Sequence, residues 1–213
     1  MTNRTSPIDL YCERMDASFW SEPINAATNA AFLVAALFVW RLRSQPSNIF
    51  AVLIALIGLG SFAFHTWANR LTAVMDVAVI ALYLIAFAYC MPHQWNKRSK
   101  LISIGSILFL FACIAVSSLI ASGIKTSFAW LPSGLYLGAW LALFAFTAIT
   151  QKINSTAARW LWIAVAIFPG SLLFRQLDIV WCDTTGGTHW LWHILNAVVL
   201  WASARGVCQK GTR

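Results

Sequence analysis

The feature that most constrains this chain is the length of its apolar runs, which exceed what a water-soluble fold can bury. Seven can be drawn, over roughly residues 24–42, 48–68, 73–91, 100–121, 131–150, 157–175 and 187–205. Each is close to the ~20 residues that an α-helix needs to cross the hydrocarbon core of a bilayer. Apolar residues surround each run instead of forming a 3.6-residue stripe, as in helices solvated by lipid. Charged residues make up only 10% of the 213 positions, against about 25% in soluble domains. The connections are short, so neighbouring helices should pack antiparallel. The chain is expected to be an all-α integral membrane protein, one seven-helix domain over residues 1–213, with residues 1–23 as an outer N-terminal segment. That segment is polar and acidic with no apolar stretch of its own, so no cleavable signal peptide is predicted.

A net charge of +8 could suggest nucleic acid, but the basic residues sit in small groups between apolar runs, which is a topology signal. On one side fall Arg41, Arg43, Lys97, Arg98, Lys100, Lys152, Arg159, Arg205, Lys210 and Arg213, ten in all; on the other Arg4, Arg14, Arg70, Lys125 and Arg175, five in all. The richer side should be cytoplasmic, which puts the N-terminus outside and the C-terminus inside. The 12 Trp residues fit helices anchored at both interfaces. No nucleic-acid or protein partner is inferred; the bilayer is the expected surrounding.

Seven carboxylates (Asp9, Glu13, Asp16, Glu22, Asp76, Asp178, Asp183) all fall in outer segments or near outer helix ends. Cys12 and Cys182 alone share the oxidising side and are the candidate disulfide pair. Sequence does not show that they meet, and two buried thiols remain the alternative.

The last run opens with His189-Trp190-Leu191-Trp192-His193. A four-residue separation puts both imidazoles on one helix face, where they can grip one metal ion or hydrogen-bond between helices. Ionisable groups inside a span are costly and usually functional, which favours the metal. The second run ends in Gly60-Ser61-Phe62-Ala63-Phe64-His65, which places His65 at the depth of the pair. Three His residues suffice for a catalytic zinc site with an open fourth position. The fourth His, His93, falls in a basic inner loop. Asp76, near the outer start of the third run, can orient a ligand imidazole or act as general base. Ser61 can pack between helices or donate to a substrate oxyanion. Asp9, Glu13, Asp16 and Glu22 can form a Ca²⁺ cage or a solvated tail. Asn25 and Asn29 share a helix face and are expected to hydrogen-bond between helices.

Together these residues resemble the alkaline ceramidases, within the superfamily that includes the adiponectin receptors; the pattern is that of a bacterial-type member. The matching pieces are Tyr11-Cys12-Glu13, Glu22 with Asn25 and Asn29, Gly60-Ser61 with His65 and Asp76, Asp178 with Cys182, and His189 with His193. The resemblance implies a zinc-dependent amidase that cleaves ceramide or a related N-acyl lipid. His65, His189 and His193 match the zinc ligands, Asp76 the catalytic acid/base, Ser61 the oxyanion-stabilising serine, Cys12 and Cys182 the disulfide, and Glu13 and Glu22 two of the calcium ligands, with Asp9 a third candidate. The calcium motif departs from the pattern: Asp9 is one residue further from the Cys, and Met15 stands where an Asn is usual. In a bacterium such a protein would sit in the inner membrane with its site toward the outer side. The competing readings are a hydrolase of a different lipid amide or ester, and a receptor-like zinc protein with little turnover.

Overall fold

The computed structural model describes residues 8–95, 99–124 and 134–209. Arg4, Lys97, Arg98, Lys125, Lys210 and Arg213, which entered the charge count, lie outside them. In chain order the helices are α1 (Pro23–Thr28), α2 (Ala30–Trp40), α3 (Gln45–Trp67), α4 (Arg70–Cys90), α5 (Lys100–Ile124), α6 (Gly134–Gln151), α7 (Ser155–Leu177), α8 (Cys182–Thr185) and α9 (His189–Val207), with a 3-10 turn at Met91–Trp95 after α4. There is no strand among the described residues.

Six segments are long and apolar enough to cross a membrane: Pro23–Trp40, Pro46–Trp67, Arg70–Trp95, Lys100–Gly123, Gly134–Gln151 and Ser155–Leu177. They carry their apolar side chains outward: Leu101 is 78% exposed, Leu119 72% and Leu108 63%. Water would penalise such a surface and lipid does not. The chain is therefore a multi-pass, all-α membrane protein.

The seventh expected run differs from the other six. α9 is 19 residues long, but His189, His193, Asn196, Ser203 and Arg205 dilute its hydropathy. The physical reason is its position. α9 packs against α1, α2, α3, α4 and α7, and its inward residues meet protein and not lipid. A helix solvated by other helices can carry polar side chains, provided each finds a partner. Ser203, for example, meets the Tyr83 hydroxyl at 2.8 Å, and the same hydroxyl donates to the Leu200 carbonyl at 2.9 Å.

The first apolar run is interrupted at Asn29, which separates α1 from α2. Its amide donates back to the carbonyls of Asn25 and Ala26 at 2.8 and 3.4 Å. Asn25 donates to Glu22 at 3.1 Å. These bonds are local and not interhelical, which differs from the expectation for the two Asn residues.

The α3–α4 connection is a tight corner. Ala68 ends α3 at φ 40°, in the left-handed region, and Asn69 caps α4 by accepting from the Thr72 N–H. Gly60 on α3 then lies against the Asp76 backbone on α4, where an added Cβ would sit 3.4 Å from the Asp76 Cα. A small residue here lets the two helices approach closely. It brings the segment bearing Ser61 and His65 alongside Asp76.

Candidate metal centre and adjoining cavity

His65 from α3 meets His189 and His193 from α9. The ring centroids are 5.1 Å (His65–His189), 4.8 Å (His65–His193) and 4.6 Å (His189–His193) apart. One nitrogen from each ring lies within 4.8 Å of the other two. All three side chains are buried, at 1%, 2% and 1% exposure. Helices that begin more than a hundred residues apart in sequence thus deliver three imidazoles to one point, and this is the one such group of His, Cys, Asp or Glu among the described residues.

Each ring is held from behind. Nδ1 of His65 is 2.5 Å from Oε2 of Glu22, and Nδ1 of His193 is 2.9 Å from the Thr28 hydroxyl. The Tyr11 ring stacks on His189 with centroids 3.6 Å apart and an interplanar angle of 23°. With their Nδ1 atoms engaged, His65 and His193 have Nε2 left as the ligating atom. Nε2 of His193 and Nδ1 of His189 are buried with no hydrogen-bond partner. Orphaned buried nitrogens cost about 1–3 kcal/mol each. A tetrahedral cation bonded at ~2.0–2.1 Å would satisfy them. The donor set therefore fits a divalent metal that accepts imidazole.

Glu22 is itself clamped. Nε of Arg14 donates to its Oε1 at 2.5 Å, while Nη2 of Arg14 donates to the His65 carbonyl at 2.9 Å and Nη1 to the Asp16 carbonyl at 3.1 Å. Burial would raise the Glu22 carboxyl, but hydrogen bonds from His65, Arg14 and Asn25 hold it below the ordinary carboxylate range. A carboxylate bonded to the far nitrogen of a ligand imidazole fixes its tautomer and orientation.

The other acidic residues are spent differently. Glu13 accepts from the backbone N–H groups of Ile24 and Asn25 at 2.6 and 2.8 Å, which closes the start of α1. Asp9 and Met15 are exposed. Asp9, Glu13 and Glu22 are not brought together as a metal-holding group among the described residues, and the cationic partner of Glu22 is a guanidinium. Both oxygens of Glu13 and both of Glu22 already accept from these protein donors.

Cys12 and Cys182 are joined by a disulfide. Next to it the buried Asp178 carboxylate accepts three backbone N–H groups: Cys12 at 2.8 Å, Thr188 at 2.7 Å and His189 at 2.8 Å. Thr188 makes no side-chain cap, so Asp178 caps the start of α9 from ten residues away. A carboxylate at a helix N-terminus also complements the helix dipole. Gly187, at φ 98°, passes close to both Asp178 and Cys12, a conformation and a gap that favour Gly. The latch ties the N-terminal segment over the metal centre.

Ser61, Asp76 and His189 line one cavity of about 90 Å³, together with Tyr11, Tyr136, Arg175, Trp192 and Asn196. A second, almost wholly apolar cavity of about 50 Å³ lies among Leu84, Phe87, Leu110, Leu143, Phe146 and Phe168, and shares Ile57, Ile80, Tyr136, Trp192 and Asn196 with the first. Burial pushes the Tyr11 phenol up to about 12, although Arg175 pulls the other way, so it remains a neutral donor at physiological pH. Among the described residues no hydrogen bond joins Asp76 to an imidazole. Glu22 and Thr28 occupy that role instead.

Sequence reasoning missed the parts played by Thr28, Tyr11 and Arg175, and did not place Glu22 behind His65. Arg175 carried a signal: it is a cation at the end of an apolar run, the situation that marks functional residues in membranes. Comparison of the chain with protein-family models, with curated proteins and with solved structures finds no match.

Proposed function

We propose that the protein is a zinc-dependent intramembrane hydrolase that cleaves the amide bond of an N-acyl lipid of the ceramide type, releasing a fatty acid and an amine. The observation that carries this reading is the buried three-imidazole cluster, with orphaned ring nitrogens, whose His189 lines a cavity that also holds Ser61 and a carboxylate, Asp76. A cluster that only braced the fold would need neither the cavity nor the carboxylate.

His65, His189 and His193 would hold the ion, and three imidazole nitrogens favour zinc over calcium or magnesium, which take oxygen donors. Bound at such a site, zinc acts as a Lewis acid and brings the pKa of water to ~7 in well-studied enzymes. Glu22 and Thr28 fix the rings of His65 and His193. Asp76, which no imidazole claims, acts as general base: it takes a proton from the attacking water as the oxygen bonds to the amide carbon. Ser61 donates a hydrogen bond to the developing oxyanion. As the C–N bond breaks, Asp76 returns the proton to the leaving nitrogen. The apolar cavity takes part of the acyl chain and keeps bulk water away. In this reading α9 is a seventh crossing, the basic-residue count puts the site toward the outer side, and no calcium ion is required.

The test is product analysis by mass spectrometry on purified protein given ceramide and a panel of other lipid amides and esters. Fatty acid should appear with wild type and fall by at least about 100-fold with Asp76→Asn, the scale of a general-base contribution. Stoichiometric zinc without fatty acid from any lipid would refute the hydrolase and favour a receptor-like role.

A further inference from the structure

The cavity that holds Ser61, Asp76 and His189 also holds the guanidinium of Arg175, on α7. Neither the metal cluster nor the roles given to Asp76 and Ser61 use it. A cation among apolar helices is costly to keep and marks function. Its surroundings are unusual for a half-buried Arg. The guanidinium carbon lies 4.9 Å from the Tyr136 ring centroid and 5.8 Å from that of Trp192. It shares the cavity with Tyr11, which lies within electrostatic range, and donates to the adjacent Gln176 at 3.4 Å. Asp76 is within electrostatic range, but among the described residues no carboxylate oxygen comes within 4.0 Å of Arg175.

Arg14 makes the comparison. It lies at the same end of the bundle, and Glu22 neutralises it directly. Arg175 has ring faces and an amide instead. A guanidinium presents five N–H donors in a planar fork that matches a carboxylate with two parallel bonds. Ring faces do not use those donors. Tyr11 connects this cation to the metal centre, since its ring stacks on His189.

We propose that Arg175 and Tyr11 form a carboxylate-binding subsite, which receives a lipid carboxylate in the cavity beside Ser61 and Asp76. The inference rests on the hydrolase reading for its place in a reaction, but binding can be measured without turnover. A carboxylate can reach the subsite from two sources. It can be carried on the amine side of the substrate, as in an N-acyl amino acid, or it can be the acid group of the released fatty acid. Both present the same chemistry to the fork, and the low-dielectric cavity strengthens the contact.

The experiment uses zinc-loaded wild type, Arg175→Gln and Arg175→Lys in lipid nanodiscs. One arm compares kcat and KM for N-oleoylglycine and for the neutral N-oleoylethanolamine. The other measures thermal stabilisation by oleate and by oleyl alcohol. If the substrate carries the carboxylate, wild type prefers N-oleoylglycine by roughly 10-fold or more, through KM, as expected for a charged hydrogen bond. Arg175→Gln loses that preference and Arg175→Lys keeps part of it. If the product fills the subsite, the amides turn over alike, and Arg175→Gln weakens oleate binding roughly 10-fold without changing oleyl alcohol. Either result supports the subsite. Oleate binding that depends on Arg175, with neither amide hydrolysed, supports the subsite and refutes the hydrolase reading. Wild-type amide preference and wild-type oleate binding in Arg175→Gln overturn the subsite and leave the hydrolase reading intact. Should Arg175→Gln not fold, the same ratios measured in Arg175→Lys decide.

Discussion

Replacing Glu22 with Gln keeps the size of the side chain and removes its charge, which makes it a sharp probe of how the metal centre is held. In the native protein one carboxylate oxygen accepts from Arg14 at 2.5 Å, and the other from His65 at 2.5 Å and Asn25 at 3.1 Å. An amide offers one oxygen for these donors and turns its own N–H groups toward the rest. Either Arg14 loses its anion or the His65 ring loses its acceptor. Stripping a buried guanidinium of its partner costs about 3–5 kcal/mol. Losing the carboxylate behind a ligand imidazole typically weakens metal binding ~10–100-fold. Both effects should be visible: a lower unfolding midpoint for metal-stripped protein, and a zinc Kd raised ~10–100-fold in competition with a fluorescent chelator. Arg14→Met separates them, because it costs stability but leaves the His65–Glu22 bond, so its zinc Kd should rise less. Wild-type zinc affinity in Glu22→Gln would refute the claim that Glu22 orients His65.

Asp178→Ala should cost about 3 kcal/mol or more, because three backbone N–H groups lose their acceptor, and chemical denaturation will measure it; an unchanged midpoint would deny the latch its role. Reducing the Cys12–Cys182 disulfide frees a loop with a sequence separation of 170, worth up to roughly 5 kcal/mol in the chain-entropy description. Melting with and without reductant should show a clear drop. Calcium should be inert, since Arg14 holds the place of the cation beside Glu22: adding millimolar calcium or a calcium-selective chelator should leave the melting temperature unchanged, and stabilisation by calcium would contradict this.

Much of the architecture is legible in the sequence because lipid imposes a simple rule. A segment that faces hydrocarbon must be apolar over its whole length, so six of the seven runs announce themselves. α9 obeys a different rule, because its solvent is other helices, and there the H-x-x-x-H spacing is more informative than hydropathy. The convergence of His65 with that pair could be read from depth alone. What lies behind the ligands could not. Glu22 belongs to a run of acidic residues that resembles a cation cage, and nothing in its spacing says that a guanidinium eight residues earlier folds back onto it. Thr28 looks like an ordinary helix residue until His193 is seen beside it. Asp178 shows the same limit: its partners are ten and more residues away, and an acceptor for three backbone N–H groups leaves no local pattern.

The most direct test of the central claim is to measure metal content and lipid products together on purified wild type and His193→Ala. The account predicts about one zinc per chain and released fatty acid for wild type, with both lost in the variant. Wild type without bound metal, or fatty acid still released by metal-free His193→Ala, would contradict it.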